Sequence, residues 1–266
     1  MRNWLIILFC AITLGTAAQT FTNTAFKSGE TLQYDLYYNW KFVWVKAGSA
    51  SMSISATQWH GQAAYRTRLL TRGSEKADRF FVLRDTLTSI VTQSDMLPRY
   101  YSKTDMEGEK YRQRNVWFTY QDGKTTARQR YINPHGMIKW KTESDKEVIF
   151  DMLSIMLRAR SFDASTFKPG QKIQFMMTDG DGKSLQTLIF RGRKTLKMKN
   201  SAASYHCLVL SFVEYEGKKE REVVTFYVTD DMNHVPVRLD LNLDFGTAKA
   251  YISGYKGLRN PMTAKK

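Results

Sequence analysis

The chain has 266 residues, with 40 Lys and Arg against 25 Asp and Glu, giving a formal net charge of +15. A chain of this length can bury a large core without cross-links. Its two cysteines, Cys10 and Cys207, are too few for a disulfide-stapled scaffold. In the cytoplasm such a charge would suggest nucleic acid, but the N-terminus points to another compartment.

Met1-Arg2-Asn3 precedes an apolar run from position 4 to 14, then Gly15-Thr16-Ala17-Ala18 and the polar Gln19. One positive charge, a short apolar stretch and small residues at its end form a secretory signal. The run is shorter than the roughly 20 residues a spanning helix needs. The expectation is a signal peptide over 1–18, an exported, periplasmic chain soluble or peripheral to the envelope, and no integral span after cleavage. Cys10 follows Phe9 in mid-run, where lipidation would need a small residue. That leaves Cys207 unpaired in an apolar, strand-like run, which reads as a buried inert thiol. Export removes nucleic acid from the expected partners. Lipid, glycolipid, acidic polysaccharide and envelope proteins remain.

From residue 31 onward, alternation dominates. Leu32, Tyr34, Leu36, Tyr38 and Trp40 share one side. Ala50, Met52, Ile54 and Ala56 alternate with Ser49, Ser51, Ser53 and Ser55. A period of two marks a half-buried strand, with one face on a core and the other in water, as in antiparallel sheets. Further strands are expected over 64–71, 86–92, 99–105, 113–120 and 125–132, with a short helix within 74–82. Residues 148–162 then switch period: Val148, Met152, Ile155, Ala159 and Phe162 recur at helical spacing. Asp151 suits the N-cap, and Arg158 and Arg160 fall in the last turn, where cations are favoured.

Beyond Lys168-Pro169-Gly170, strands are expected over 173–178, 185–190, 206–214, 223–228 and 249–253. Val237, Leu239, Leu241, Leu243 and Phe245 form another alternating set. Asp122-Gly123, Asn133-Pro134-His135-Gly136, Asp179-Gly180-Asp181-Gly182 and Glu216-Gly217 supply hairpin turns. The fold expected is all-β and mainly antiparallel: a curved open sheet, half-barrel or barrel-like, with one main helix packed against it. A single β-rich domain over 19–258 is preferred, with two lobes divided near 148–162 as the alternative. The tail over 259–266 is polar and basic and is expected to be loose.

Basic residues often fall two apart, as in Arg66/Arg68, Arg112/Arg114, Arg128/Arg130, Lys139/Lys141 and Arg191/Arg193. In a strand each such pair lies on one face. Stacked on neighbouring strands they repel, unless acids are interleaved or an anion binds. Aromatic residues are abundant, and a curved sheet encloses more volume than its own side chains fill. An apolar groove with a basic rim would take an amphipathic anion. Trp40, Trp44, Tyr65, Phe118, Arg112 and Arg114 are the candidate ligand-binding residues.

Catalytic and metal motifs are lacking. The four histidines, His60, His135, His206 and His234, have no ligand-pair spacing. The 179–183 segment starts like a calcium loop, but Lys183 takes the third ligand's place and Phe190 stands where the closing Glu belongs. No Gly-x-Ser-x-Gly elbow or phosphate-cradling loop is present. Neither an enzyme activity nor a cofactor or metal is expected.

The order of short elements carries a resemblance. Gly29-Glu30 leads into Leu32-Gln33-Tyr34, then Val45-Lys46-Ala47-Gly48-Ser49-Ala50, Arg84-Asp85-Thr86, Leu97-Pro98, Asp151-Met152-Leu153-Ser154 with Arg158, Gly170, and Val235-Pro236-Val237. From about Phe26 to Tyr255 the chain resembles the exported bacterial family catalogued as domain of unknown function 3108. The resemblance implies a Gram-negative envelope protein with no assigned activity and no catalytic residues to carry over. The architecture is also similar in style to periplasmic lipoprotein-carrier half-barrels, a likeness of fold alone. Three functions stay open: a non-enzymatic binder of an amphipathic or anionic envelope ligand, an assembly factor binding envelope proteins, and an envelope-polymer hydrolase.

Overall fold

The computed structural model describes residues 12–13, 21–40, 43–79, 82–217, 219–243 and 246–266. The expected signal peptide and its cleavage point lie outside the described residues, apart from positions 12 and 13. So do Phe42, Phe245 and the side chain of Trp40.

The strands are β1 (Ile12–Thr13), β2 (Thr31–Trp40), β3 (Val43–Trp59), β4 (Gln62–Gly73), β5 (Leu83–Thr92), β6 (Pro98–Glu107), β7 (Lys110–Gln121) and β8 (Lys124–Ile132). They continue as β9 (Ile138–Asp145), β10 (Ile149–Phe150), β11 (Lys172–Thr178), β12 (Lys183–Lys197), β13 (Ser204–Glu216), β14 (Lys219–Thr229), β15 (Pro236–Leu243) and β16 (Gly246–Lys256). Helices are α1 (Glu75–Asp78) and α2 (Met152–Ala159), with a 3-10 turn at Ala164–Thr166. All described strands belong to one sheet, an antiparallel meander from β11 through β16, across to β2 and on to β9. Only β1 and β10 pair in parallel, both on the outer edge of β11. The sheet curls into a nearly closed barrel and runs unbroken across the β16–β2 pair.

One expected boundary shifts, and one strand stands where none was expected. Residues 148–150 are not helical: Ile149 and Phe150 pair with Met176 and Met177 of β11. The helix starts where Asp151 caps it, accepting from the amides of Leu153 and Ser154 at 2.9 Å, while the Ser154 hydroxyl accepts from the Asp151 amide at 3.0 Å. Strand β9 had no alternation to announce it. It pairs only with β8, and most of its side chains are exposed. An edge strand of this kind, bearing Lys139 and Lys141, carries little hydrophobic signal.

The helix fixes which sheet face is the inside. Leu153 packs with Leu87, Tyr101, Val116, Phe118 and Ala127 of β5 to β8. Ile155 packs with Phe175, Leu188 and Phe212 of β11 to β13. Met156 packs against the cluster that holds Leu32 and Met52. Burying one such side chain contributes roughly 1.5–3 kcal/mol.

Residues 21–30 and the C-terminal tail close the end of the barrel beneath the helix. Arg160 donates from Nη1 and Nη2 to Glu30 at 2.5 and 3.0 Å, and from Nε to the Asn233 carbonyl at 3.0 Å. Both side chains of that ion pair are almost fully buried. The tail over 259–266, expected to be loose, is docked instead. The Asn260 amide donates to Asn233 Oδ1 and its side chain to the Thr24 carbonyl, both at 2.9 Å. Lys265 bridges to Tyr205, and Ala264 is 2% exposed. Short polar residues conceal this docking in the sequence because they satisfy backbone groups rather than fill a core.

Candidate ligand-binding mouth

The turns at 108, 133–136, 179–182 and 217 gather at the end opposite residues 21–30 and the docked C-terminal tail. Burial of inward side chains falls toward that end. Along β2, Leu32 and Tyr34 are buried, while Leu36 and Tyr38 are half-buried. Along β15, Val237 is buried, Leu239 and Leu241 are half-buried, and Leu243 is 37% exposed. Met152, on the first turn of the interior helix, is 42% exposed although Leu153 beside it is 1% exposed. The helix therefore plugs the lower interior and leaves the hairpin end an open mouth.

The walls of the mouth differ in chemistry. Strand register runs a half-buried apolar row through Leu188, Phe212, Val224 and Leu241. On β5 to β7, alternation from Leu87, Tyr101 and Val116 places Asp85, Lys103, Asp105, Arg112 and Arg114 on the inward side. Asp105, 3% exposed, accepts from Arg112 at 2.9 Å and from Arg114 at 2.8 Å. Glu107 takes a further bond from Arg112 at 2.9 Å. These are the interleaved acids that a basic pair on a sheet face needs.

Two polar atoms here lack partners: Oδ1 of Asp85 and Nε of Arg114 are buried without a hydrogen bond. Burial pushes the Asp85 carboxyl up to about 6, against the pull of Lys103. The β11–β12 turn packs over Arg114 at Gly180, whose φ is +100°. A Cβ there would lie 2.7 Å from the Arg114 Cβ, so glycine meets both the conformation and the contact. The turn is a hairpin, as expected of 179–182, with Thr178 opposite Lys183.

The six candidate residues do not form one site. Arg112 and Arg114 meet on Asp105 in the mouth. Phe118 shares their face of β7 but sits in the core, about 20 Å from Arg112 at the strand rise. Tyr65 lies at the closed end, edge-on to Phe26 at 5.3 Å. Trp44 stands on the outer face under the Lys249 ammonium, 4.8 Å from the ring centroid. A bulge between Leu36 and Tyr37 re-phases β3 against β2, which is why counting by two misplaces Trp44. Lys103, Asp105, Val224 and Leu241 escaped notice because each reads in the sequence as an ordinary half-exposed strand position.

Other potential chemistry is quiet. Cys207 is buried, and burial pushes its thiol up to about 12, consistent with an inert side chain. Asp151, raised by burial to about 6, is committed to its cap and to the Ser89 hydroxyl at 2.8 Å. His60 and His135 are exposed in turns, as expected. Among the described residues, no group of three or more His, Cys, Asp or Glu side chains is placed to hold a metal ion. No helix among the described residues is long and apolar enough to cross a membrane. A cavity of about 330 Å³ lies at the closed end, between Trp59, Arg99, Phe118 and Tyr120.

Among solved structures, the chain is similar to a β-barrel-like protein of domain of unknown function DUF1849 from Brucella abortus, at 11% identity and a TM-score of 0.54. That match covers 90% of this chain and 99% of the other, and it shows a shared barrel-like fold. An exported protein with a YmcC-like fold from Bacteroides fragilis matches at 8% identity and a TM-score of 0.35, over 90% of this chain and 100% of that one. No curated protein matches the chain. The profile of the protein family of unknown function DUF3108 matches residues 33–253, so the chain belongs to that family.

Proposed function

We propose that this chain is an exported, non-enzymatic binding protein of the bacterial envelope, and that its ligand is an amphipathic anion held in the barrel mouth. The observation that carries the reading is the division of the mouth. Half-buried Phe212, Val224 and Leu241 supply an apolar wall, while Lys103, Arg112 and Arg114 supply cations on the inward side of β6 and β7. Concave sites that are mostly apolar, with a few placed polar groups, are the usual form of a small-molecule pocket. The exposed Met152 adds an adaptable apolar surface on top of the plug. The filled lower interior limits the ligand's depth, so only the end of an acyl chain enters, with its charged head near the rim.

Dodecyl phosphate is the simplest probe, with dodecyl maltoside as its neutral counterpart. The phosphate is expected to raise the melting temperature and the maltoside to have a smaller effect. Val224→Asp is expected to abolish the rise. Ligand-free protein recovered repeatedly from the envelope fraction, together with no thermal shift across envelope lipids, would overturn the proposal.

A further inference from the structure

The outward face of β3 to β9 is a surface of another kind. Register places Ser51, Ser53 and Ser55 of β3 outward, followed by Arg66 and Arg68, Thr86 and Thr88, Tyr100 and Ser102, Asn115 and Trp117, Arg128 and Arg130, and Trp140 and Thr142. None of the outward positions described on these strands is Asp or Glu. The carboxylates of this half point inward or sit in turns, as Asp105 and Glu143 do. The guanidinium groups of Arg66, Arg68 and Arg128 therefore have no acid partner. Arg66 and Arg68 are exposed, and Arg128 lies over the Trp140 ring at 4.5 Å. Arg130 is held by Asn115 Oδ1 at 2.7 Å and lies 5.9 Å from the Trp117 centroid.

The other half of the sheet pairs its outer arginines. Arg191 is bonded to Glu220 and Arg238 to Asp240. The protein thus has acids available for neutralising an outer arginine, and places none on this face. Between the free arginines runs a continuous aromatic strip. Trp59 stacks on Tyr100 at 6.1 Å, Tyr100 meets Trp117 at 5.7 Å, and Trp117 stacks on Trp140 at 5.8 Å. The row from Arg66 through Tyr100 and Trp117 to Arg128 crosses four strand spacings, about 19 Å. That is the length of a short oligosaccharide rather than of one small anion.

We infer that this face binds an anionic polysaccharide. Aromatic faces take the C–H faces of pyranose rings, since their quadrupole is negative above the ring. Serine and threonine hydroxyls beside the strip exchange hydrogen bonds with sugar hydroxyls. The arginines pair with carboxylate or phosphate substituents in a forked geometry, and stacking on Trp117 and Trp140 holds two of them ready. A membrane would call for protruding apolar side chains across the face. Among the described residues of this face and its β8–β9 turn, the large apolar or aromatic side chains more than half exposed are Tyr111, Met137, Ile138 and Trp140, and most of the positions between them carry hydroxyls, amides or arginines.

The test uses the full chain with polygalacturonate, neutral dextran, poly-glutamate and phosphatidylglycerol vesicles. Expected is saturable binding to polygalacturonate, at least tenfold stronger than to the other three. Combined Arg66→Ser, Arg68→Ser and Arg128→Ser substitutions should lower that affinity tenfold or more with an unchanged melting temperature. Trp140→Ala, which alters no charge, should lower it severalfold. Equal affinity for poly-glutamate or vesicles, or indifference to Trp140→Ala, overturns the inference. Dodecyl phosphate binding in the mouth should survive every one of these substitutions, which separates failure here from failure of the proposed function.

Discussion

At the closed end of the barrel, inward side chains meet a capped helix and residues 21–26; at the hairpin end, the same strands turn comparable side chains toward solvent. Leu153 and Met152 are consecutive residues, yet one is 1% and the other 42% exposed. The difference teaches that a curved sheet of this size is not filled by its own strands. The lower interior is filled by imported elements, α2 and residues 21–26, and the C-terminal tail is hydrogen-bonded across that end. Where they stop, the barrel stays open, and charged residues replace apolar ones on part of its wall.

Substitutions that break this contrast should differ in size. The largest effect belongs to the ion pair at the closed end. Arg160→Ala strands a buried Glu30 carboxylate and should cost about 3–5 kcal/mol in denaturant unfolding. A loss below 1 kcal/mol would mean that water reaches this end. Next comes the plug itself. Leu153→Ala should destabilise by about 2–5 kcal/mol, whereas Met152→Ala, one residue away, should cost less than about 1 kcal/mol. Comparable losses would show that the mouth is packed shut.

A pH series sharpens the comparison. Burial raises Asp151 from 3.8 to about 6, so the folded state holds its proton more tightly than the unfolded chain. This contribution to stability is fully present below about pH 4 and is lost as pH rises through 6. Unfolding curves of Asp151→Asn against the native chain should therefore move in the variant's favour between pH 4 and 7, by up to roughly 3 kcal/mol. A flat difference would point to a carboxylate fully stabilised by its hydrogen bonds. The smallest effect is at the mouth. Asp85 titrates near 6 but is partly exposed, so Asp85→Asn should change stability little. Its ionised carboxylate repels an anionic head group. Dodecyl phosphate should bind more weakly above pH 6 than below it, and Asp85→Asn should flatten that dependence.

Much of the fold was legible in the residues. The alternation of Leu32, Tyr34, Leu36 and Tyr38, and of Met52 and Ile54 with their serines, became real inward and outward faces. Asp151 proved to be the helix cap. The pairs Arg112/Arg114 and Arg128/Arg130 each lie on one face, as period two demands, but on opposite faces of the sheet. Nothing local announced that, because a strand's side chains carry no mark of which side will meet the core. Trp44 shows the same limit, since a single bulge reverses the face that counting assigns.

Local sequence thus determined strand character, turn positions and the capping residue of the helix, because each depends on neighbours a few residues away. Tertiary structure alone decided which arginines meet acids, which aromatics form a strip, how far the helix fills the barrel and that the tail is anchored. Those outcomes join residues far apart in the chain, such as Glu30 with Arg160 and Asn260 with Thr24. The curvature and closure of one continuous sheet bring them together, and no short stretch of sequence encodes that.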